Sequence, residues 1–358
     1  MTSGTYHYGD HEVSDDAYWA ACELFITAKK MQDKDADTYL SELSDYKDAF
    51  NISSRIDDKV FNRYDDSFTM FNSRNPSAAG SMSLLMNMEL LTDDQRTKLK
   101  ESVIKTADDF IKEEKVQGYG IPYKYDGPGY NDPSGIGSRV YGGFEFDSNG
   151  RALNNMLAMA YAYDLTGEDK YLNGVAIGMD YLLGNNSMSC SFITGYGSYS
   201  AKNPAHRFWQ NEINKALPQA PDGVIVSGPT AEIEDDYSQA LGLKYAEIND
   251  PTERFYADSV ESWSSNESSI TRNASLAWIV SFLQDEASAE PVAKTASGDV
   301  NADGEFNISD AVIFQKWLLG SAKYSLTDWK AADFCNDGKL DIFDLICMKK
   351  KLVKNSFQ

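Results

Sequence analysis

Two carboxylates late in the sequence have the types and spacing for acid–base chemistry. Asp258 and Glu267 lie nine residues apart in Tyr256–Ala274, a stretch that also carries Trp263 and leads into a long apolar run. A glutamate donates a proton near neutral pH only when burial beside apolar rings raises the pKa of its carboxyl group. The positive end of a helix dipole has the opposite effect on that pKa. Because residues 264–266 are candidate helix caps, the residues alone favour a capping role for Glu267 over a role as general acid.

Two segments near the C-terminus have the oxygen-rich spacing of EF-hand-like calcium loops. Residues 299–310 and 333–344 are repeats offset by 34 residues. In such a loop, oxygens at positions 1, 3, 5, 7, 9 and 12 bind the ion, and each repeat has a glycine at position 6 for the sharp turn. The predicted ligands are Asp299, Asn301, Asp303, the Glu305 carbonyl, Asn307 and Asp310 in the first loop, and Asp333, Cys335, Asp337, the Lys339 carbonyl, Asp341 and Asp344 in the second.

Cys335 departs from this pattern because a thiol is a poor ligand for a hard cation. Water or a shifted ligand is expected to replace it. The alternative to a metal site is a pair of Asp/Asn/Gly turns that cap two helices. Two matching loops favour calcium over that alternative.

The elements that must position these residues are helices. Ser14 is a predicted N-cap, and apolar residues recur at helical spacing along most of the chain. The predicted helices are 14–32, 34–44, 77–90, 93–114, 149–165, 169–184 and 267–285. Two long irregular stretches, 116–148 and 186–262, lie between them, and such loops usually carry function. We therefore predict an all-α body whose loops build the site at one end of the helices.

Charge and composition exclude several classes of function. The formal net charge is −22, from 55 acidic and 33 basic residues, which argues against nucleic acid and anionic membranes as partners. No apolar run approaches the 18 residues of a membrane span, and residues 1–4 do not resemble a signal peptide, so nothing in the sequence as written directs export. The 21 tyrosines predict either stacking on sugars or filling of helix interfaces. The four cysteines are widely spaced and are predicted to be free thiols: Cys22, Cys190, Cys335 and Cys347.

A change of composition predicts two domains. Residues 286–297 lose aromatic residues and hydrophobic periodicity, which is typical of a flexible linker. The predicted domains are residues 1–285 and 298–358.

The spacing Y-x-D-x4-W-x3-E-x-S-x3-N-A in residues 256–274 resembles the C-terminal signature of glycoside hydrolase family nine, with an allowed residue at every position. This family comprises inverting cellulases with an (α/α)6 barrel. The resemblance implies that Glu267 is the proton donor to the leaving glycosidic oxygen and that Asp258 is a neighbouring active-site carboxylate. It also implies that Tyr256 and Trp263 contact the substrate.

A second stretch, residues 182–207, partly resembles the family's LGxN, TG-x-G and PHHR pattern. The family's active-site histidine falls on Ala205, while His206 and Arg207 keep the second histidine and the arginine. These two residues are predicted to bind substrate, with a loop histidine bonded to backbone as the alternative for His206. Residues 220–229 resemble the family's PGxLVGGPN loop, and the DSN of residues 147–149 resembles its GSN helix start.

The resemblance covers residues 9–285 and begins with a segment from the middle of the family's catalytic domain. That segment lies close to a structural calcium site, so Asp15 and Asp16 are candidate ligands for a further ion. The family's base comes from a DAGD-type pair of aspartates, and no such motif occurs in the sequence. The resemblance therefore predicts a partial (α/α)6 barrel that lacks its N-terminal half.

The repeat of residues 298–358 resembles a dockerin, a calcium-dependent module that binds cohesin domains of cellulosomal scaffolds. Cys335 resembles the second repeats of ruminococcal systems. The matching cohesin-facing positions are Ile308, Ser309, Gln315 and Lys316 in the first repeat, and Ile342, Phe343, Lys349 and Lys350 in the second. The two sets differ in polarity, so equivalent binding in two orientations is not expected. Core packing is the alternative for Ile308 and Ile342.

Two functions follow from these resemblances. The first is a secreted, cellulosome-associated endo-β-1,4-glucanase that inverts the anomeric centre, with two calcium ions in the dockerin. The second is a catalytically inactive, calcium-dependent cohesin ligand that retains a glucan-binding surface.

Overall fold

The computed structural model describes most of the chain. The described residues are 13–56, 67–72, 75–124, 130–131, 138–139, 144–244, 246, 250–288, 298–321, 323–334 and 340–355. The chain forms two compact units, Met1–Leu283 and Gln284–Gln358, each with its own hydrophobic core. In this part of the chain, no helix has the length and apolar character needed to span a membrane.

The larger unit is built from helices. These are α1 (Ser14–Lys30), α2 (Ala36–Ser44), α3 (Ser77–Leu85), α4 (Asp93–Glu114), α5 (Ser148–Thr166), α6 (Asp169–Leu182), α7 (Asp236–Ala240), α8 (Trp263–Asn266) and α9 (Ile270–Ser288), whose last residues extend beyond Leu283. Two short strands, β1 (Tyr130–Asn131) and β2 (Ser138–Arg139), pair antiparallel. Helix α1 packs against α2 and α3, whereas α5 packs against α4 and α6. The predicted all-α class is confirmed.

Helix α5 is buried around most of its circumference, as expected of a helix inside a domain. It begins after Asp147, whose side chain accepts a hydrogen bond from the Gly150 N–H, and it ends at Gly167 in the left-handed region. Several tyrosines complete the surrounding core. Tyr18, Tyr123 and Tyr171 are fully buried, so part of the tyrosine excess fills helix interfaces.

Two predicted helix starts are wrong. Helix α1 follows Val13 without a side-chain cap, so Ser14 is the first helical residue and not the N-cap. The helix predicted from residue 267 begins at Ile270, and Glu267 is extended with φ −67° and ψ 143°. The backbone of Glu267 is bound by another segment, and this tertiary pairing overrides the local helix signal.

The smaller unit contains α10 (Ile308–Leu318) and α11 (Ile342–Asn355), which pack against each other. Phe314 on α10 and Met348 on α11 are fully buried and join Val300 in one core. Three of the cysteines, Cys22, Cys190 and Cys347, are free thiols as predicted. Cys335 lies outside the described residues.

Candidate active site and calcium loops

The backbone of Glu267 lies between two other segments. Its N–H donates to Ser227 Oγ at 3.1 Å, and its carbonyl accepts the Ser227 N–H at 2.8 Å. On the other side it forms a parallel bridge with Ala205, whose N–H donates to the Asn266 carbonyl at 2.8 Å. Glu267 is therefore brought next to the segment that carries His206 and Arg207.

The Glu267 carboxyl is half-buried and holds its proton more tightly than an ordinary glutamate. Burial raises its pKa, the Arg272 guanidinium lowers it, and the Asp147 carboxylate raises it. Among the described residues, none donates a hydrogen bond to this carboxyl, so Glu267 does not cap α9. A raised pKa is what a general acid requires.

Asp258 anchors a loop. Its Oδ1 accepts the N–H groups of Lys202 at 3.1 Å and Asn203 at 2.9 Å, and its Oδ2 accepts the Lys202 N–H at 3.0 Å. These charge-assisted bonds fix the chain just before Ala205. The predicted active-site role of Asp258 stays a prediction, and its contacts supply a positioning role.

Tyr256 lies inside the unit, with only 7% of its surface exposed. Its hydroxyl donates to Asn266 Oδ1 at 2.8 Å, and its ring packs edge-on against Phe192. Burial raises the pKa of this phenol well above its ordinary value, so the hydroxyl remains a donor. The structure thus buries Tyr256 in the core of the unit, and its direct contact with substrate stays a prediction.

His206 and Arg207 are exposed in the loop that follows Ala205. His206 Nδ1 accepts the Phe208 N–H at 3.2 Å, so the neutral ring carries its hydrogen on Nε2. The ring also packs on Trp209, with centroids 4.2 Å apart. Trp209 was not singled out from the sequence, although its position three residues after His206 in a polar loop was a usable signal.

Trp263 and Arg272 lie close to Glu267 in sequence, whereas Asp147 comes from a distant part of the chain. Trp263 begins α8 and is 41% exposed, which leaves its ring accessible to a ligand. Arg272 and Asp147 were missed by the sequence reasoning. They are 125 residues apart, and no local pattern connects them.

The backbone of the first predicted calcium loop has a conformation suited to binding calcium. Asp299 accepts the N–H groups of Asp303 and Gly304, and Gly304 has φ 90°, as the sharp turn requires. Asp310 is fully buried, and its carboxylate accepts the N–H groups of Val300 and Asn307. No cluster of three or more His, Cys, Asp or Glu side chains in metal-ligand geometry occurs in the part of the chain described. The predicted set also relies on Asn oxygens and a backbone carbonyl, and this all-oxygen chemistry fits calcium.

The second loop is described only at its ends. Asp344 is 1% exposed and accepts the Asp341 N–H at 2.9 Å, which repeats the contact between Asp310 and Asn307. The predicted ligands Cys335, Asp337 and Lys339 lie outside the described residues. In the larger unit Asp15 is 5% exposed, Asp16 is exposed, and a calcium ion there stays a prediction.

The predicted cohesin-facing positions are partly accessible. Ile308 is 77% exposed and Ile342 is 55% exposed, so the alternative that these two residues belong to the core is wrong. Lys349 Nζ donates to Gln315 Oε1 at 2.9 Å, a contact between equivalent positions of the two repeats.

Two protein families match the chain. Residues 1–280 match the sequence model of Glycosyl hydrolase family 9, and residues 297–353 match that of the Dockerin type I domain. The chain is 31% identical over 330 residues to a cellulose 1,4-beta-cellobiosidase of Acetivibrio thermocellus, covering 90% of this chain and 34% of that protein. It is 27% identical over 289 residues to endoglucanase C of Cellulomonas fimi, covering 80% of this chain and 23% of that protein.

The fold is similar to solved structures of the same family. A metagenome-derived glycoside hydrolase family 9 endoglucanase superposes with a TM-score of 0.55 at 22% identity, over 79% of this chain and 42% of that chain. The chain spans about a third or less of the two curated relatives named above. The predicted barrel-type helical fold is confirmed.

Proposed function

Because the chain belongs to glycosyl hydrolase family 9 and carries a dockerin type I domain, we propose that its larger unit takes part in hydrolysis of β-1,4-glucosidic bonds in cellulose or related β-glucans. The names of its relatives, a cellobiosidase and an endoglucanase, support this substrate class. The observation that carries the proposal is the half-buried Glu267 carboxyl with its raised pKa. Such a group keeps a proton that it can transfer to the leaving glycosidic oxygen.

The proposed reaction inverts the anomeric centre. Glu267 protonates the glycosidic oxygen as its bond to the anomeric carbon breaks, while a base removes a proton from the water that attacks the opposite face. In inverting enzymes the two carboxyl groups are about 6.5–9.5 Å apart, which leaves room for the water. Since Asp258 is bound by the N–H groups of Lys202 and Asn203, we assign it to holding the loop.

The base is proposed to come from outside the residues of this sequence. A DAGD-type pair occurs nowhere in it, and it spans 34% of the cellobiosidase that it resembles. We propose that it corresponds to the C-terminal portion of the family's catalytic domain. The base aspartates then belong to the portion that precedes it in the relatives.

The dockerin is proposed to bind two calcium ions and a cohesin domain of an extracellular scaffold of the ruminococcal type. Bound calcium would fix the loops through charge and coordination. The oxygen-rich first loop and the exposed Ile308 and Ile342 support this assignment. The complete protein would then act outside the cell.

A second candidate is an inactive cohesin ligand with residual glucan binding. Two observations favour it: Ala205 stands where the family has its active-site histidine, and the DAGD pair is absent from the sequence. The exposed Trp263 and the half-buried Trp209 could still hold a glucan chain.

Replacement of Glu267 distinguishes the two candidates. We expect the complete protein, with the portion that supplies the base, to release reducing sugar from carboxymethylcellulose, and Glu267→Gln to lower that rate at least about 100-fold, because general acid catalysis supplies about 10²–10⁴-fold. The matched control is Glu261→Gln, an exposed glutamate six residues earlier, which should keep the rate. A complete protein that binds cohesin with calcium but hydrolyses no glucan would instead support the second candidate.

A further inference from the structure

An ion pair beside Glu267 joins the start of α5 to the first turn of α9. Asp147 Oδ1 accepts a hydrogen bond from Arg272 Nε. The Arg272 side chain is 2% exposed, whereas the Asp147 side chain is 32% exposed. A buried guanidinium is costly unless it is paired, so Asp147 is the counter-ion that stabilises Arg272 in this position.

Asp147 adopts a backbone conformation that favours glycine. Its φ is 69° and its ψ is 38°, in the left-handed region that side chains with a Cβ atom disfavour. The family resemblance places a glycine at this first position of the GSN-like helix start. The Asp147 carboxylate nevertheless makes two contacts here, with Arg272 and with the Gly150 N–H at 3.2 Å.

Arg272 reaches Glu267 through the backbone. Its Nη1 donates to the Glu267 carbonyl at 2.6 Å, and the same carbonyl accepts the Ser227 N–H at 2.8 Å. With the Glu267 N–H bound to Ser227 Oγ, three hydrogen bonds fix the backbone of this glutamate. One of the three depends on the position of the Arg272 side chain.

We propose that Asp147 and Arg272 form a positioning pair, in which Asp147 neutralises and orients the Arg272 guanidinium and Arg272 holds the Glu267 backbone. This inference rests on the proposed role of Glu267 as proton donor. The electrostatics agree with the geometry, since burial raises the pKa of Glu267, Arg272 lowers it and Asp147 raises it. Without Asp147, the uncompensated positive charge of Arg272 would favour the ionised form of Glu267.

The other charged groups around Glu267 are less enclosed. His206 and Arg207 follow the bridged Ala205 and are exposed to solvent, which screens their charge. Residues 224–230, which carry Ser227, contain no ionisable side chain. The Asp258 carboxylate is bound by backbone N–H groups.

The test is a carbon-13 NMR titration of the Glu267 carboxyl in the full chain with calcium, its signal assigned by its loss in Glu267→Gln. We expect Asp147→Asn and Asp147→Gly to lower the pKa of Glu267. The double variant Asp147→Asn with Arg272→Gln removes both charges and should return that pKa toward the starting value. Asp37→Asn is the matched control, because it removes a carboxylate that pairs with Lys29 on α1.

Each outcome decides the inference. Asp147→Gly guards against misfolding, because glycine adopts the left-handed conformation without strain. The inference fails if Asp147→Gly leaves the pKa of Glu267 unchanged, or if that pKa is as low in the double variant as in Asp147→Asn. It also fails if neither Asp147 variant folds, because the pair would then be purely structural. The predicted pKa response in this chain, together with a complete protein that hydrolyses no glucan, would overturn the proposed function and leave this pairing intact.

Discussion

Asn266 is a single residue on which several parts of the candidate site depend. Its Oδ1 accepts the Tyr256 hydroxyl at 2.8 Å, and its Nδ2 donates to the Asn203 carbonyl at 2.6 Å. Its main-chain carbonyl accepts the N–H of Ala205, the residue before His206. Because Asn266 is fully buried, water cannot replace any partner that it loses.

We expect Tyr256→Phe to lower the free energy of unfolding of the larger unit by about 1–3 kcal/mol, because a buried amide oxygen would lose its donor. Affinity for a cello-oligosaccharide should change little, since Tyr256 is 7% exposed. Urea denaturation and titration calorimetry measure the two quantities. Tyr199→Phe, at a 59% exposed ring, is the control and should alter neither stability nor, by more than a small factor, affinity. Lost affinity at unchanged stability would support the predicted substrate contact of Tyr256.

Residue roles that follow from a sequence motif were easier to predict than roles that follow from distant pairing. Glu267 could be identified as a candidate acid because its signature is contiguous in sequence. The residues that tune it, Asp147 and Arg272, are 125 positions apart, and nothing local predicts an ion pair between them. Tyr256 was also identified from the motif, but its burial depends on tertiary packing, which a sequence motif does not specify.

The helices α4 and α6 approach closely at Gly174. A Cβ atom at that position would lie 2.4 Å from Ile111 Cδ1 and 2.9 Å from Glu114 Oε2, so the packing leaves no room for a side chain. Glu114, the last residue of α4, is buried in this interface, and its Oε1 has no hydrogen-bond partner among the described residues. Burial raises the pKa of this carboxyl to about 9.

This buried carboxyl predicts a pH dependence of stability. Below about pH 4.5, the ordinary pKa of the group, Glu114 is protonated in both folded and unfolded chains, so its ionisation does not lower stability. Between about pH 4.5 and 9 only the unfolded chain ionises, so stability falls by up to about 1.4 kcal/mol per pH unit. Glu114→Gln, which has the shape of the protonated acid, should flatten this dependence and raise stability at pH 8.

Chemical denaturation at a series of pH values measures the effect of Glu114→Gln. Glu101→Gln, on an exposed part of the same helix, is the control and should follow the parent profile. A Glu114→Gln profile parallel to the parent would contradict a buried, protonated Glu114.

Helix boundaries were predictable where the signal is local. Helix α4 runs from Asp93 to Glu114 as predicted, and its start is fixed by a capping box between Thr92 and Gln95. The start of α9 was not predictable, because Glu267 is held extended by Ser227, forty residues earlier in the chain. Local propensity cannot anticipate such a contact.

At the scale of the whole molecule, the two units differ in what stabilises them. The larger unit buries a broad core of aromatic and aliphatic residues. The smaller unit has a core of a few side chains, including Phe314 and Met348, beside loops rich in carboxylates. Small domains of this size commonly need a metal or another staple to be stable.

We therefore expect calcium to control the stability of the smaller unit alone. Without the ion, Asp299, Asp303 and Asp310 repel one another, and a free calcium concentration about 100-fold above Kd adds about 2.7 kcal/mol to the folded state. Scanning calorimetry should resolve two transitions, of which EGTA lowers or abolishes only that of the smaller unit. Asp303→Ala should reproduce the effect of EGTA in the presence of calcium, whereas Asp285→Ala, an exposed acidic residue outside the loops, should not. Two transitions that are both insensitive to EGTA would contradict calcium binding by these loops, and an equal shift of both would contradict independent stabilisation of the two units.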